Sequence, residues 1–140
     1  SKTNRKNDEI LEIIDGITKP TPLMYAAKYN PNPEVVKTLI QLGADINKQD
    51  SSGLTALMYA ADSHGFGDQR SQIIKLLVES GADITLRGRK RVFEVGPGDV
   101  PVIEGTAFDF LEGNPEARKN KDFAQLEKLL NPGDKVQSQV

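Results

Sequence analysis

The chain has 140 residues, a length that fits one domain and buries roughly two thirds of its unfolded surface. Its 18 basic and 20 acidic side chains leave a formal net charge of −2, which argues against a general nucleic-acid or membrane-surface binder. With no cysteine there is no disulfide scaffold, thiolate metal site or cysteine nucleophile, and no apolar run approaches the roughly 18 residues of a membrane span.

The polar opening predicts a disordered segment over residues 1–7, with no signal peptide. Residues 8–16 predict a capping helix with Ile10, Leu11, Ile13 and Ile14 on its inner face. Next comes Thr21-Pro22-Leu23-Met24-Tyr25-Ala26-Ala27, a helix start with threonine as N-cap and proline just inside. Asn30-Pro31-Asn32-Pro33 breaks the chain. Val35, Val36, Leu39 and Ile40 then form the apolar stripe of a second helix, closed by Gly43.

This unit recurs. Thr55-Ala56-Leu57-Met58-Tyr59-Ala60-Ala61 repeats the first anchor at an offset of 34 residues. Gly43-Ala44-Asp45-Ile46 recurs as Gly81-Ala82-Asp83-Ile84, at an offset of 38. A weaker copy opens at Thr106-Ala107-Phe108-Asp109-Phe110-Leu111 and closes with Leu126 to Leu130. A helix pair of this size cannot bury both its faces alone, so successive copies must stack.

Motif and period resemble the ankyrin repeat, strongly over residues 21–85 and more loosely over 106–130. The resemblance implies an all-α solenoid: cap helix 8–16, then helix pairs at about 20–53, 54–104 and 105–131, joined by β-hairpin fingers. Residues 8–131 form one domain on this reading, and 132–140 a disordered tail. Met24 and Met58 stand where the family usually has histidine, and Asp109 stands there in the third copy, so the methionines are expected to fill space. The second copy has a longer interhelix loop. The finger after it carries a 13-residue insertion, so that an extended hairpin spans 87–104.

In that insertion Val92, Phe93 and Val95 favour a strand, Gly96-Pro97-Gly98-Asp99 a turn, and Val100 to Ile103 the returning arm. Phe93, flanked by Arg89 and Arg91, is the expected anchor for a partner.

Little in the chain points to catalysis. Asp62, Ser63 and His64 are consecutive and point in different directions, so they cannot converge as a triad. A single histidine without cysteine offers zinc no ligand set, and the glycine-rich turns lack the lysine of a phosphate loop. No enzyme activity, cofactor or metal is expected. The absence of cysteine is compatible with either cytoplasm or periplasm.

The resemblance therefore implies a non-enzymatic module that binds another protein through a concave groove, as a monomer. Lys28 and Tyr29 align with the family's variable inner-face positions, as do Asp62 and Ser63, then Gly113 and Asn114. The first finger adds Lys48, Gln49, Asp50 and Ser51, followed by Ser52 and Leu54. Tyr25 and Tyr59 repeat at a position the family fills from the core and are expected to pack inward. The alternative is a basic finger: Arg87-Gly88-Arg89-Lys90-Arg91 docking on an acidic ligand or nucleic acid.

Overall fold

The computed structural model describes residues 21–91 and 102–133. The cap helix expected at 8–16, both polar ends, Phe93 and the tip of the long finger lie outside the described residues.

Local sequence signals set where the helices begin. Helix α1 (Pro22–Tyr29) starts with proline in its first turn, and Thr21 Oγ1 accepts the Met24 N–H at 3.2 Å. Met24 Sδ accepts the Thr21 N–H in return at 3.3 Å, which closes a capping box. Helix α2 (Pro33–Gln41) is capped by Asn32, whose Oδ1 accepts from Glu34 N at 3.0 Å. Helix α3 (Ala56–Ala61) repeats the threonine cap at Thr55, and α4 (Asp68–Glu79) follows Gly67. Gly43 and Gly81 hold φ of 96° and 107° just beyond α2 and α4. At these turns, Ala44 and Ala82 reach back to bond the carbonyls of Leu39 and Leu77.

In the third copy, α5 (Ala107–Glu112) uses Asp109 as a cap, its Oδ2 accepting the Thr106 N–H at 2.8 Å. The aspartate at the histidine position thus does local capping work. The outer half of this copy is split into α6 (Pro115–Arg118) and α7 (Phe123–Leu130).

Helices α1, α3 and α5 stack side by side as an inner layer. Helices α2, α4 and α7 form the outer layer against them. The core lies between layers and between copies, with Leu23, Leu57, Ile73, Ile74, Leu77 and Leu111 all 2% exposed or less. Met24 and Met58 are buried among them and fill space as expected. Leu77 is fully buried, whereas Leu39, its counterpart in the first copy, is only half-buried. The reason is position: α4 packs on α2, α3 and α7, while among the described helices α2 packs mainly on α1 and α4.

The longer loop of the second copy has a packing role. Gly65, at φ 68°, turns the chain so that Phe66 dips into the core. Its backbone N–H then donates to Glu116 Oε2 at 2.9 Å. Ser71 Oγ donates to Asp122 Oδ2 at 2.9 Å, a second tie between copies.

The long finger begins and ends as an antiparallel hairpin. Strand β1 (Gly88–Arg91) pairs with β2 (Val102–Gly105) in the register Gly88↔Gly105, Arg89↔Glu104, Lys90↔Ile103 and Arg91↔Val102. The preceding finger is stitched to it. Gln49 Nε2 donates to Gly53 O and to Arg87 O, at 2.9 and 3.1 Å. Arg89 N donates to Ser52 O at 2.8 Å. Asn47 bridges Gly81 O and Asp83 N in the same seam. The two fingers approach so closely at Gly53 and Gly88 that a Cβ on Gly88 would meet Gly53 O at 2.8 Å. Only glycine fits there without a shift of backbone.

Candidate binding surface

The sequence of α1 decides what this face shows. Leu23, Met24, Ala26 and Ala27 turn into the core, which leaves Tyr25, Lys28 and Tyr29 on the outward side of an inner helix. Tyr25 is 50% exposed and Tyr29 64%. Their rings lie 5.7 Å apart at a tilt of 33°. Lys28 Nζ sits 5.2 Å from the Tyr29 ring centre and 5.5 Å from that of Tyr59, a cation held between two aromatic faces. Tyr59, in turn, donates its hydroxyl to Asp50 Oδ2 at 2.5 Å. The inner helices of the first two copies and the finger between them therefore share one continuous aromatic surface.

Burial raises the Tyr59 phenol well above the usual tyrosine range, and the bond to Asp50 and that carboxylate's charge add to it. The neutral phenol is the form the fold holds. Its stabilising contribution is present below the unfolded value of about 10 and is lost as pH rises towards the folded one. Thermal unfolding midpoints measured from about pH 9 upwards should fall for the native chain and fall less steeply for Tyr59→Phe. Equal slopes would show that ionisation of Tyr59 does not drive the alkaline loss of stability.

The expected contact residues separate into distinct environments. Asp62 faces Lys90, whose Nζ lies 2.5 Å from Asp62 Oδ1. Strand alternation puts Lys90 and its partner Ile103 on the side of the inner helices, and Arg89 with Glu104 on the opposite side. Arg87 stands 3.9 Å from Glu104 Oε1. The basic run thus has two faces. Arg91 closes β1, and only its backbone is described.

Ser63 corrects the sequence reading: it is fully buried, and its Oγ donates to Ala60 O at 2.8 Å. From the third copy, Asn114 Nδ2 donates to Ser63 O and to Ala61 O, each at 3.0 Å. Asn114 is itself buried, so this pair of aligned positions joins copies instead of facing outward. Asp50 is likewise committed: Oδ1 accepts from Ser52 N and Leu54 N, each at 2.9 Å, and Oδ2 from Tyr59. The Gln49 amide is spent on the finger seam. Lys48 and Ser51 are exposed on that finger.

Tyr25 is the second correction. It is half exposed, because only one inner helix packs beside α1 among the described residues. The sequence places Lys90 only within the basic run; the period of two along β1 separates it from Arg89 and turns it towards Asp62. Among the described residues, no group of histidine, cysteine and carboxylate side chains could hold a metal ion. None of the described helices is long and apolar enough to cross a membrane.

Residues 3–88 match the family model described as ankyrin repeats (3 copies). The chain belongs to the ankyrin repeat family. The ankyrin match ends where the long hairpin begins, so the third helix pair lies beyond it.

Several curated ankyrin proteins are similar. Ankyrin repeat and SAM domain-containing protein 6 of Rattus norvegicus is 47% identical over 70 residues, 49% of this chain and 7% of the relative. Ankyrin repeat and SOCS box protein 6 of Homo sapiens is 38% identical over 71 residues, 50% of this chain and 17% of the relative. An ankyrin repeat protein of Rickettsia bellii is 44% identical over 81 residues, 58% of this chain and 31% of the relative. The chain spans a minor part of each of them. Ankyrin repeats are protein-interaction modules, assembled as helical solenoids with small antiparallel fingers.

Proposed function

We propose that this chain is a non-enzymatic binding module that presents its inner helices and fingers to a partner protein. The observation that carries this reading is the exposed pair Tyr25 and Tyr29 beside Lys28 on α1. Tyrosine supplies a large, rigid contact area with a polar tip and loses little rotamer freedom on binding. Rigid neighbours lower the ordering cost further: Lys28 is already held between two rings, and Tyr59 by Asp50. Lys48 and Ser51 extend the surface along the first finger, and Asp62 with Lys90 continues it towards the hairpin.

Residues 8–131 act as one array on this reading, with the insertion at 87–104 as the finger special to this chain. Phe93, Arg89 and Arg91 are its contact residues. The basic run is less suited to nucleic acid, because Arg87 and Lys90 already face carboxylates.

The test is affinity capture from the native host, followed by titration of each captured protein. Tyr25→Ala with Tyr29→Ala should weaken binding at least tenfold and leave the melting temperature within about 2 °C of the native value. Deleting residues 89–101 across a glycine bridge should weaken it separately. Undiminished binding by both variants would remove the groove and the finger from the contact surface.

A further inference from the structure

A partner that covers Tyr25 and Tyr29 also covers Lys28, whose ammonium lies over the Tyr29 ring and against that of Tyr59. The Lys28 side chain is already half-buried. Among the described residues the lysine ion pairs belong to Lys75, Lys90 and Lys121, and Lys28 has none. The carboxylates of the same stretch are committed. Asp50 accepts from the Tyr59 hydroxyl and from the N–H groups of Ser52 and Leu54. Asp62 is held by Lys90. A basic segment would therefore find both carboxylates occupied and would meet Lys28. A wholly apolar segment would strip water from the ammonium and return no acceptor, which is costly. A carboxylate supplies the opposite charge and the acceptor together, in a charge-assisted bond.

We infer, building on the binding surface proposed above, that the partner meets it with an acidic segment. One aspartate or glutamate carboxylate of that segment sits on Lys28 Nζ, and apolar side chains beside it lie on the Tyr25 and Tyr29 rings. The two rings are 50% and 64% exposed and 5.7 Å apart, so a carboxylate and its apolar neighbours reach them together. One ammonium matches one carboxylate. A phosphoryl group carries nearly two charges and is held best by the fork of a guanidinium. The described arginines of the hairpin do not offer one here: Arg87 faces Glu104, and Arg89 lies on the side away from the inner helices.

Selection of short random peptides displayed on phage, with the full chain as bait, tests this partner chemistry. Bound peptides should carry an aspartate or glutamate beside apolar residues. Lys28→Met keeps the apolar stem against the rings, and Lys28→Arg keeps the charge. The methionine variant should bind a selected peptide about tenfold more weakly, and the arginine variant should stay close to the native affinity. Changing the selected acid to its amide should cost as much, and the two losses should not add in a double-mutant cycle. Tyr25→Ala with Tyr29→Ala separates the two claims. Peptides lost with the tyrosines but showing no acidic preference would keep the binding surface and overturn the acidic partner. Peptides indifferent to the tyrosines would overturn both. A library that yields no binder, or losses at Lys28 and at the acid that add independently, would overturn the acidic partner. So would tighter binding once phosphoserine replaces the selected acid, which would point to a phosphopeptide instead.

Discussion

Leu77→Ala should lower the unfolding free energy by about 2–5 kcal/mol, the range for a large-to-small change at a fully buried leucine. Leu77 has no exposure, and its helix α4 packs on α2, α3 and α7. The cavity would therefore open where the copies meet, with close-packed neighbours that relax only in part. A domain of this length has a total of about 7–20 kcal/mol, so the loss is a large share of it. Stacked repeats draw stability from the interfaces between copies, and damage to one interface reaches both sides of it. Chemical denaturation with two probes checks this. Tyrosine emission reports on the first two copies, since Tyr25, Tyr29 and Tyr59 all lie there. Far-UV circular dichroism reports on all helices. Both midpoints should move down together. A shift worth under about 1 kcal/mol would mean that Leu77 is not a keystone of the interface. Leu39→Ala should cost less, because Leu39 is only half-buried.

Much of this architecture was legible in the sequence, for a reason visible at the helix starts. Thr21 and Thr55 cap their own helices through bonds three residues away, so the information is local and survives in any neighbourhood. Gly43 and Gly81 are equally local, because each needs a positive φ that glycine adopts freely. The candidate surface was less legible, because exposure is decided by what lies alongside. Tyr25, Tyr59 and Phe110 hold the same place in successive copies. They are 50% exposed, half-buried and 2% exposed respectively. Tyr59 is flanked by α1 on one side and by the Asp50 finger on the other. Ser63 aligned with Tyr29, yet it is fully buried, and Asn114 reaches across to it from the third copy. These contacts span 51 residues or more, a separation that spacing within one repeat does not encode.

Arg70 is another such long-range contact, and its substitution should separate two kinds of strut. It lies in the first turn of α4, only 4% exposed. Its Nη1 donates to Ala27 O, close to the C-terminal end of α1, and to Asn30 O at 3.3 Å. The guanidinium therefore ties the second copy to the end of the first, where helix carbonyls lack partners of their own. Its Nε is buried without a partner among the described residues, and burial pulls the group below the usual arginine range. It nonetheless remains cationic at neutral pH. Arg70→Ala removes the donor and leaves a void beside buried carbonyls, so a loss of about 1.5–3 kcal/mol is expected. Arg70→Met keeps most of the stem's volume and removes a buried charge that, among the described residues, no carboxylate faces. Apolar replacement of buried ionic groups is often neutral or better, so Arg70→Met should recover most of the alanine loss. Denaturant midpoints for both variants decide the matter. If methionine proves as damaging as alanine, the carbonyl bonds hold the copies together and the apolar stem does not. If alanine proves neutral, the contact between Arg70 and the end of α1 carries no stability.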